Sequence, residues 1–344
     1  MSMVLIKKEG IVLEPRKFKF EEEGVLNPGC IKVGNNVHMF YRAVAKGNHS
    51  SVGYCRFKGP LDVEERWRKP IIKSEHEYEK HGIEDPRVVY INGKYYLTYM
   101  AYDGKNVTGA YAVSKDLKNF DKKGVIVPLI PYAEAIRLIG KKKNKRYRCF
   151  DLYDREEKDT EKTTPVWGKD TILFPKKING KYVLMHRILP DAPLIRFKRF
   201  SELTIDYWKE HFKNLHKNIG IKADQWFESR HVGGGCPPIE TKKGWLIIYH
   251  AVEKREKGKV YRAAASLVDK KNPCKLISKL DYPLISPELE WEQKGEVGNV
   301  VFPTGHAVFG EKLYIYYGSA DSRIAAASLY IDELVDELED KGKK

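Results

Sequence analysis

Residues Val88–Met100 read VVYINGKYYLTYM. An Asn92-Gly93 pair separates two runs rich in β-branched and aromatic residues, and Asn-Gly in that setting is the strongest short-range signal for a β-hairpin. The signal recurs at Gly34-Asn35-Asn36, Asn179-Gly180, Lys243-Gly244 and Gly310-Glu311. The strands that follow these turns read HMFYR, YVLMHR, WLIIYH and LYIYYG. Counted between Gly34, Gly93, Gly180, Gly244 and Gly310, the spacings are 59, 87, 64 and 66 residues. Each unit then adds further β-like stretches, such as SVGYCRF, TGAYAVSKDL, VYRAAASLVD and SRIAAASLYI. Four strands per unit, repeated radially, is the arithmetic of a β-propeller. The expected fold is therefore all-β, a five-bladed propeller forming one domain over residues 1–344. A β-sandwich also repeats hairpins, but it has no reason to keep a common unit length.

The one long spacing marks an insertion at about 129–168. It holds the basic run KKKNKRYR (Lys141–Arg148) and the charged run DREEKDTEK (Asp154–Lys162). A solvated loop or short helical excursion, a lid or oligomer contact, and a nucleic-acid patch are the three readings. The tail, residues 331–344, places Ile331, Leu334, Val335 and Leu338 at helical spacing and is read as an amphipathic C-terminal helix packed on a blade. Either element could serve a homo-oligomer contact.

Composition narrows the class. Of 344 residues, 42% are hydrophobic and 32% charged, enough to build a core. No apolar run is long enough to span a membrane. The opening MSMVLIKKEG lacks the pattern of a secretory leader. Five scattered cysteines form no CxxC pair, so a reducing cytoplasm is expected. With 62 Lys+Arg against 47 Asp+Glu the chain carries +15, which favours anionic partners such as phosphate, phosphorylated sugars or nucleic acid. No HExxH, GxSxG, phosphate-loop or dinucleotide fingerprint is present, so neither a metal nor a cofactor is expected.

Aligning the five units places Arg42, Met100, Arg187, His250 and Gly318 together at the ends of the second strands. At the starts of the first strands stand Asn27, Asp85, Asp170, the Gly233-Gly234-Gly235 run and Asn299. In an antiparallel hairpin these two positions share one end, and in a propeller they converge on the channel mouth. Arginine suits capture of carboxylate or phosphate, a nearby carboxylic acid can donate a proton, and glycine lets a ligand approach the backbone.

These residues lie in motifs that together resemble glycoside hydrolase family 130, the β-mannoside phosphorylases and related β-mannosidases. The motifs are HGIEDPRV (His81–Val88), KDTILFPKKINGKYVLMHR (Lys169–Arg187), GGGCPPIETKKGWLIIYH (Gly233–His250) and NVVFPTGHAVFGEKLYIYYGSAD (Asn299–Asp321). The resemblance implies a five-bladed propeller, with Asp85 as general acid acting through a hydroxyl of the bound mannose. It implies that Asn27, Arg42 and Asp321 hold the mannose, with Lys169 and Asp170 beside them. It further implies that Arg187 and His250 bind phosphate. Where family phosphorylases carry a phosphate-binding Lys before the glycine run, this chain has His231, with Arg230 adjacent.

The chemistry favours phosphorolysis. Inverting hydrolysis needs an acid and a second carboxylate to activate water. Phosphate is already an anion and needs only the acid and groups to position it. The expected enzyme is an inverting phosphorylase that converts a β-1,4- or β-1,2-linked mannoside and phosphate to α-mannose 1-phosphate. The alternatives are a β-mannosidase, with Glu84, Asp170 or Glu228 as base, or a non-catalytic carbohydrate-binding propeller. The expected partners are an oligosaccharide and phosphate, with no nucleic acid and no membrane.

Overall fold

The computed structural model describes residues 3–140, 144–147 and 165–343. It begins with strand β1 (Lys7–Leu13), which finds its partner only at the other end of the chain. The first unit is the meander β2 (Gly24–Val33), β3 (Asn36–Ala45), β4 (His49–Lys58) and β5 (Asp62–Arg66). The second is β6 (Gly82–Ile91), β7 (Lys94–Tyr102), β8 (Val107–Ser114) and β9 (Asp121–Val127), linked to the first by a single parallel bridge, Ser50 to Gly82. The insertion follows: β10 (Ile130–Pro131) pairs with β11 (Pro165–Val166) around helix α1 (Tyr132–Ile139). The third unit is β12 (Ile172–Leu173), β13 (Tyr182–Met185), β14 (Ala192–Phe197) and β15 (Ile219–Ile221), with α2 (Ile205–Lys213) between its last two strands. The fourth is β16 (His231–Gly234), β17 (Ile239–Glu240), β18 (Trp245–Lys254), β19 (Lys259–Val268) and β20 (Leu276–Lys279). After α3 (Glu290–Gln293), the fifth is β21 (Val301–Phe309), β22 (Lys312–Ser319) and β23 (Arg323–Tyr330), completed by β1 as its fourth strand. Helix α4 (Ile331–Gly342) ends the chain.

The buried apolar side chains fall into five clusters, one for each pair of neighbouring units. Phe40 and Tyr54 of the first unit meet Leu97 and Tyr99 of the second. Ile126 meets Leu184 and Phe197 at the next seam, joined there by Tyr132, Ala135 and Ile139 of α1. Ile172 and Val183 meet Trp245 and Tyr249. Ile248 meets Ile315 and Tyr317, with Leu334, Val335 and Leu338 of α4 covering the same cluster. Tyr316 and Ala326 of the fifth unit return to Met39 and Phe57 of the first. A cavity of about 360 Å³ is lined by Lys32, Tyr90, Pro175, Pro238 and His306, one residue from the first strand region of each unit.

Period-two alternation explains how a blade can serve both core and site. The residue before each aligned second-strand position points the other way. In four units it is a tyrosine whose hydroxyl donates to a fully buried glutamate. Tyr41 meets Glu21 at 2.6 Å, Tyr99 meets Glu79 at 3.0 Å, Tyr249 meets Glu228 at 2.6 Å and Tyr317 meets Glu292 at 2.7 Å. A cation from the fourth strand completes each group: Arg66 at 2.9 Å, Lys122, Lys279 at 2.8 Å and Lys8 at 2.6 Å. In the fifth unit that cation comes from β1, so the ion pair also fastens the N-terminal strand. The third unit replaces the device with His186, whose Nε2 lies 2.9 Å from Nε2 of His211 on α2. Removing one member of such a buried pair costs about 3–5 kcal/mol. Glu292→Gln is expected to lower stability by that amount in thermal unfolding, and a change below about 1 kcal/mol would show the triad to be incidental.

The insertion reads in part as a helical excursion docked on the protein. Arg146, in the basic run, pairs bidentately with buried Asp191, its Nε 2.6 Å from Oδ2, and donates to the carbonyl of Ala223. Tyr147 is buried and its hydroxyl donates to Asp191 at 3.2 Å. Residues 141–143 and 148–164 lie outside the described residues, and with them most of both charged runs. The C-terminal helix packs on the fourth unit as expected, through Ser278 to the carbonyl of Leu338.

Candidate active site

Bulges aim the site residues. The register of β2 against β3 slips between Leu26 and Gly29, and that of β6 against β7 slips between Glu84 and Arg87. Asn27 and Asp85 sit in these bulges, each before a proline, with φ of +49° and +48°. Asp170 has φ +57° just before β12, and Asp321 has φ +50° after β22. Positive φ is uncommon in residues other than glycine and concentrates at functional positions. The unit alignment is corrected in one place. Gly318 pairs with Phe302, so the fifth-unit equivalent of Asn27 is Pro303 and not Asn299.

The sugar-side residues come together as expected. Asn27 donates from Nδ2 to Oδ1 of Asp85 at 2.7 Å. Gly318 makes this possible, because a Cβ there would lie 2.1 Å from Oδ1 of Asn27. Arg42 bridges to Glu84 at 2.7 Å and donates to Ser50 at 2.9 Å. Arg42 and Asp321 share an open pocket of about 370 Å³ with Glu23, Asn48, Glu296 and Val297. Burial pushes the Asp321 carboxyl up to about 6, with the nearby Asp85 and Glu84 charges adding to the rise and Arg42 opposing it. Lys169 is half-buried beside these groups, its Nζ 4.9 Å from the ring centre of Trp167. Burial lowers its pKa, helped by Arg187 and opposed by Glu84, Asp85 and Asp170.

The Asp321 shift has a stability consequence. A carboxyl that holds its proton more tightly when folded favours the folded state at low pH, and that contribution is lost as pH rises through about 6. Asp321→Asn is therefore expected to gain about 1–2 kcal/mol over the wild type above neutral pH and nothing near pH 4. The same variant is expected to bind mannoside more weakly. Thermal unfolding across pH checks the first, and equal stabilities at both ends would contradict it.

In the third and fourth units, Arg187 places Nη1 3.2 Å from Oδ2 of Asp170, and His250 places Nε2 3.8 Å from the same oxygen. Burial pushes the Asp170 carboxyl up, but the surrounding cations, Arg187 first, outweigh it and hold the group below the usual range. Burial takes His250 down to about 4 and His231 well below its ordinary value. Both imidazoles are therefore neutral near pH 7. His231 lies 5.9 Å from His250 between ring centres, and among the described residues neither of its nitrogens has a hydrogen-bond partner.

Two further residues, Arg87 and Phe302, escaped the sequence reading, and Glu84 was read only as a possible base. Arg87, inside the EDPR motif but given no role, is buried and donates to the carbonyls of Asp85 at 2.9 Å and of Gly235 at 2.8 Å. It ties the Asp85 bulge to the glycine run of the fourth unit. Glu84 is the partner of Arg42. Phe302 packs 4.5 Å from His250 and also faces the Arg87 guanidinium. Arg87 was legible as a charge in a motif, while Phe302 carried no signal apart from its place in a strand.

Residues 11–340 match the model of glycoside hydrolase family 130, described as beta-1,4-mannooligosaccharide phosphorylase. The chain belongs to glycoside hydrolase family 130. Within that family it is 35% identical over 335 residues to a 1,2-beta-oligomannan phosphorylase of Thermoanaerobacter sp. (strain X514), covering 94% of this chain and 96% of the relative. It is 32% identical to a beta-1,2-mannobiose phosphorylase of the same organism, covering 92% and 93%. Its fold matches that of a beta-1,2-mannobiose phosphorylase from Listeria innocua solved with beta-1,2-mannobiose, with a TM-score of 0.71 at 23% identity, covering 97% of this chain and 99% of that one.

Proposed function

We propose that this family 130 protein is an inverting β-mannoside phosphorylase acting on β-1,2-linked manno-oligosaccharides, releasing α-mannose 1-phosphate and a shortened acceptor. The observation that carries the reading is the division of the site. Asn27, Arg42, Asp85 and Asp321 gather on one side, and Arg187 and His250 converge on Asp170 on the other. Mannose lies between the two groups, and phosphate attacks its anomeric carbon from the side of Arg187. Asp85, held by Asn27 and by the Arg87 contact to its carbonyl, supplies a proton to the departing oxygen through a mannose hydroxyl. The three carboxylates considered as a water-activating base are each engaged: Glu84 with Arg42, Asp170 with Arg187, and Glu228 with Tyr249 and Lys279. That arrangement supports phosphate rather than water as the nucleophile.

The five units, with β1 completing the fifth and a buried cluster at each seam, support a closed five-bladed propeller as a single catalytic domain. The four described cysteines are free, in keeping with a reducing cytoplasm, and no cofactor is required. The β-1,2 preference rests on the two relatives named above, whereas the family model is described for β-1,4 linkages. Reverse synthesis from α-mannose 1-phosphate and mannose tests the choice. The expected product is β-1,2-mannobiose, and exclusive β-1,4-mannobiose would overturn the linkage while leaving phosphorolysis intact.

A further inference from the structure

We propose that the anion pocket accepts its phosphate in monoprotonated form and uses His250 and Asp170 to reject tetrahedral anions that carry no proton, sulfate above all. The proposal rests on the phosphorolytic reading and specifies which anion the site is built to take.

The geometry fixes the His250 tautomer. Its Nδ1 lies 3.0 Å from the carbonyl oxygen of Gly234. A carbonyl cannot donate, so Nδ1 carries the proton and Nε2 of the neutral ring offers a bare lone pair. Nε2 has no hydrogen-bond partner among the described residues, and 3.8 Å from it lies Oδ2 of Asp170, whose ion-pair partner is Arg187 at 3.2 Å. The bare lone pair of Nε2 thus faces a carboxylate oxygen with no proton between them, a costly arrangement for the imidazole unless a ligand supplies a donor. Both atoms are closely surrounded. A Cβ on Gly233 would come within 2.3 Å of the His250 ring and 2.4 Å of the Asp170 oxygen. Phe302, Tyr261 and His231 enclose the ring. The charged groups acting on it are Asp170, which favours a proton, and Arg187 and Arg87, which join burial in keeping it neutral.

Sulfate and monohydrogen phosphate share shape and double negative charge, so Arg187 alone cannot tell them apart. They differ by one O–H. Monohydrogen phosphate can donate that proton to Nε2 of His250, or to Oδ2 of Asp170, while its other oxygens face Arg187. Sulfate would set an oxygen against a lone pair. The proton balance of the reaction closes on this basis. An unprotonated phosphate oxygen forms the new bond to the anomeric carbon, the glycosidic C–O bond breaks, and the departing oxygen takes the proton from Asp85. The sugar phosphate leaves as its monoanion, still carrying the proton that faced His250, and Asp85 is reprotonated from solvent.

The test compares anions at about pH 8, where both are dianions. Binding is measured by calorimetry and turnover with β-1,2-mannobiose. Sulfate is expected to bind at least about 100-fold more weakly than phosphate, since a site built for a hydroxyl rejects an analogue lacking it. Arsenate, which carries a proton, is expected to replace phosphate in turnover. Sulfate binding is expected to strengthen as pH falls and the imidazole takes its own proton. His250→Gln places an amide donor near the lost lone pair, so it is expected to weaken phosphate and narrow the phosphate-to-sulfate ratio by at least about tenfold. Equal binding of sulfate and phosphate by the wild type, or an unchanged ratio in His250→Gln, would overturn the proposal with phosphorolysis still standing. Release of free mannose at the same rate without either anion would overturn the phosphorolytic reading itself.

Discussion

Asp85→Asn is expected to lower turnover of β-mannobiose by about 10²–10⁴-fold, the range usual for a positioned proton donor. Folding should be preserved. The amide oxygen of the new side chain can still accept from Asn27, and Arg87 holds residue 85 through its backbone carbonyl, which the substitution leaves alone. The loss should depend on the leaving group. A nitrophenyl β-mannoside departs without protonation, so its phosphorolysis should suffer far less than that of mannobiose. Unequal losses on the two substrates, with unchanged thermal unfolding, would establish Asp85 as the acid. Equal losses would point to a binding defect instead.

The second large effect is expected at Arg187. Replacing it with Gln removes the cation paired with Asp170 and leaves that carboxylate buried without its nearest counter-charge. Truncating one side of such a pair costs about 2–5 kcal/mol. The phosphate KM is therefore expected to rise by about 100-fold or more, with little change in the KM for mannoside. Adding Asp170→Asn removes the stranded charge and should recover part of the loss. A variant that raised both KM values equally would place Arg187 in general folding of the site rather than in anion binding.

Much of this was legible in the sequence because the repeated hairpins announce themselves locally. The Asn-Gly and related turns fix where each second strand begins, and the residue at its end then follows by counting. Arg42, Arg187 and His250 were found that way, and the register of the sheets places them as expected. What local pattern does not carry is pairing over long separations. Strand β1 joins β23 across more than 300 residues, and nothing in KKEGIVL names that partner. The buried glutamates Glu21, Glu79, Glu228 and Glu292 lie twenty or more residues before their tyrosines, outside any motif. Asn299 was misplaced because the turn marks where a hairpin folds back but not how far along the first strand the site position lies, which the pairing of Gly318 with Phe302 decides. The protonation of His250 was out of reach for another reason. It is decided by the Gly234 carbonyl beside Nδ1 and by burial, and neither is written in the residue type.

The most direct test of the central claim is to incubate the purified protein with β-1,2-mannobiose, with and without inorganic phosphate, and to follow the products by phosphorus and proton NMR. The expected result is mannose 1-phosphate in the α configuration, formed only when phosphate is present. Free mannose released at the same rate without phosphate would contradict phosphorolysis and make the protein a hydrolase.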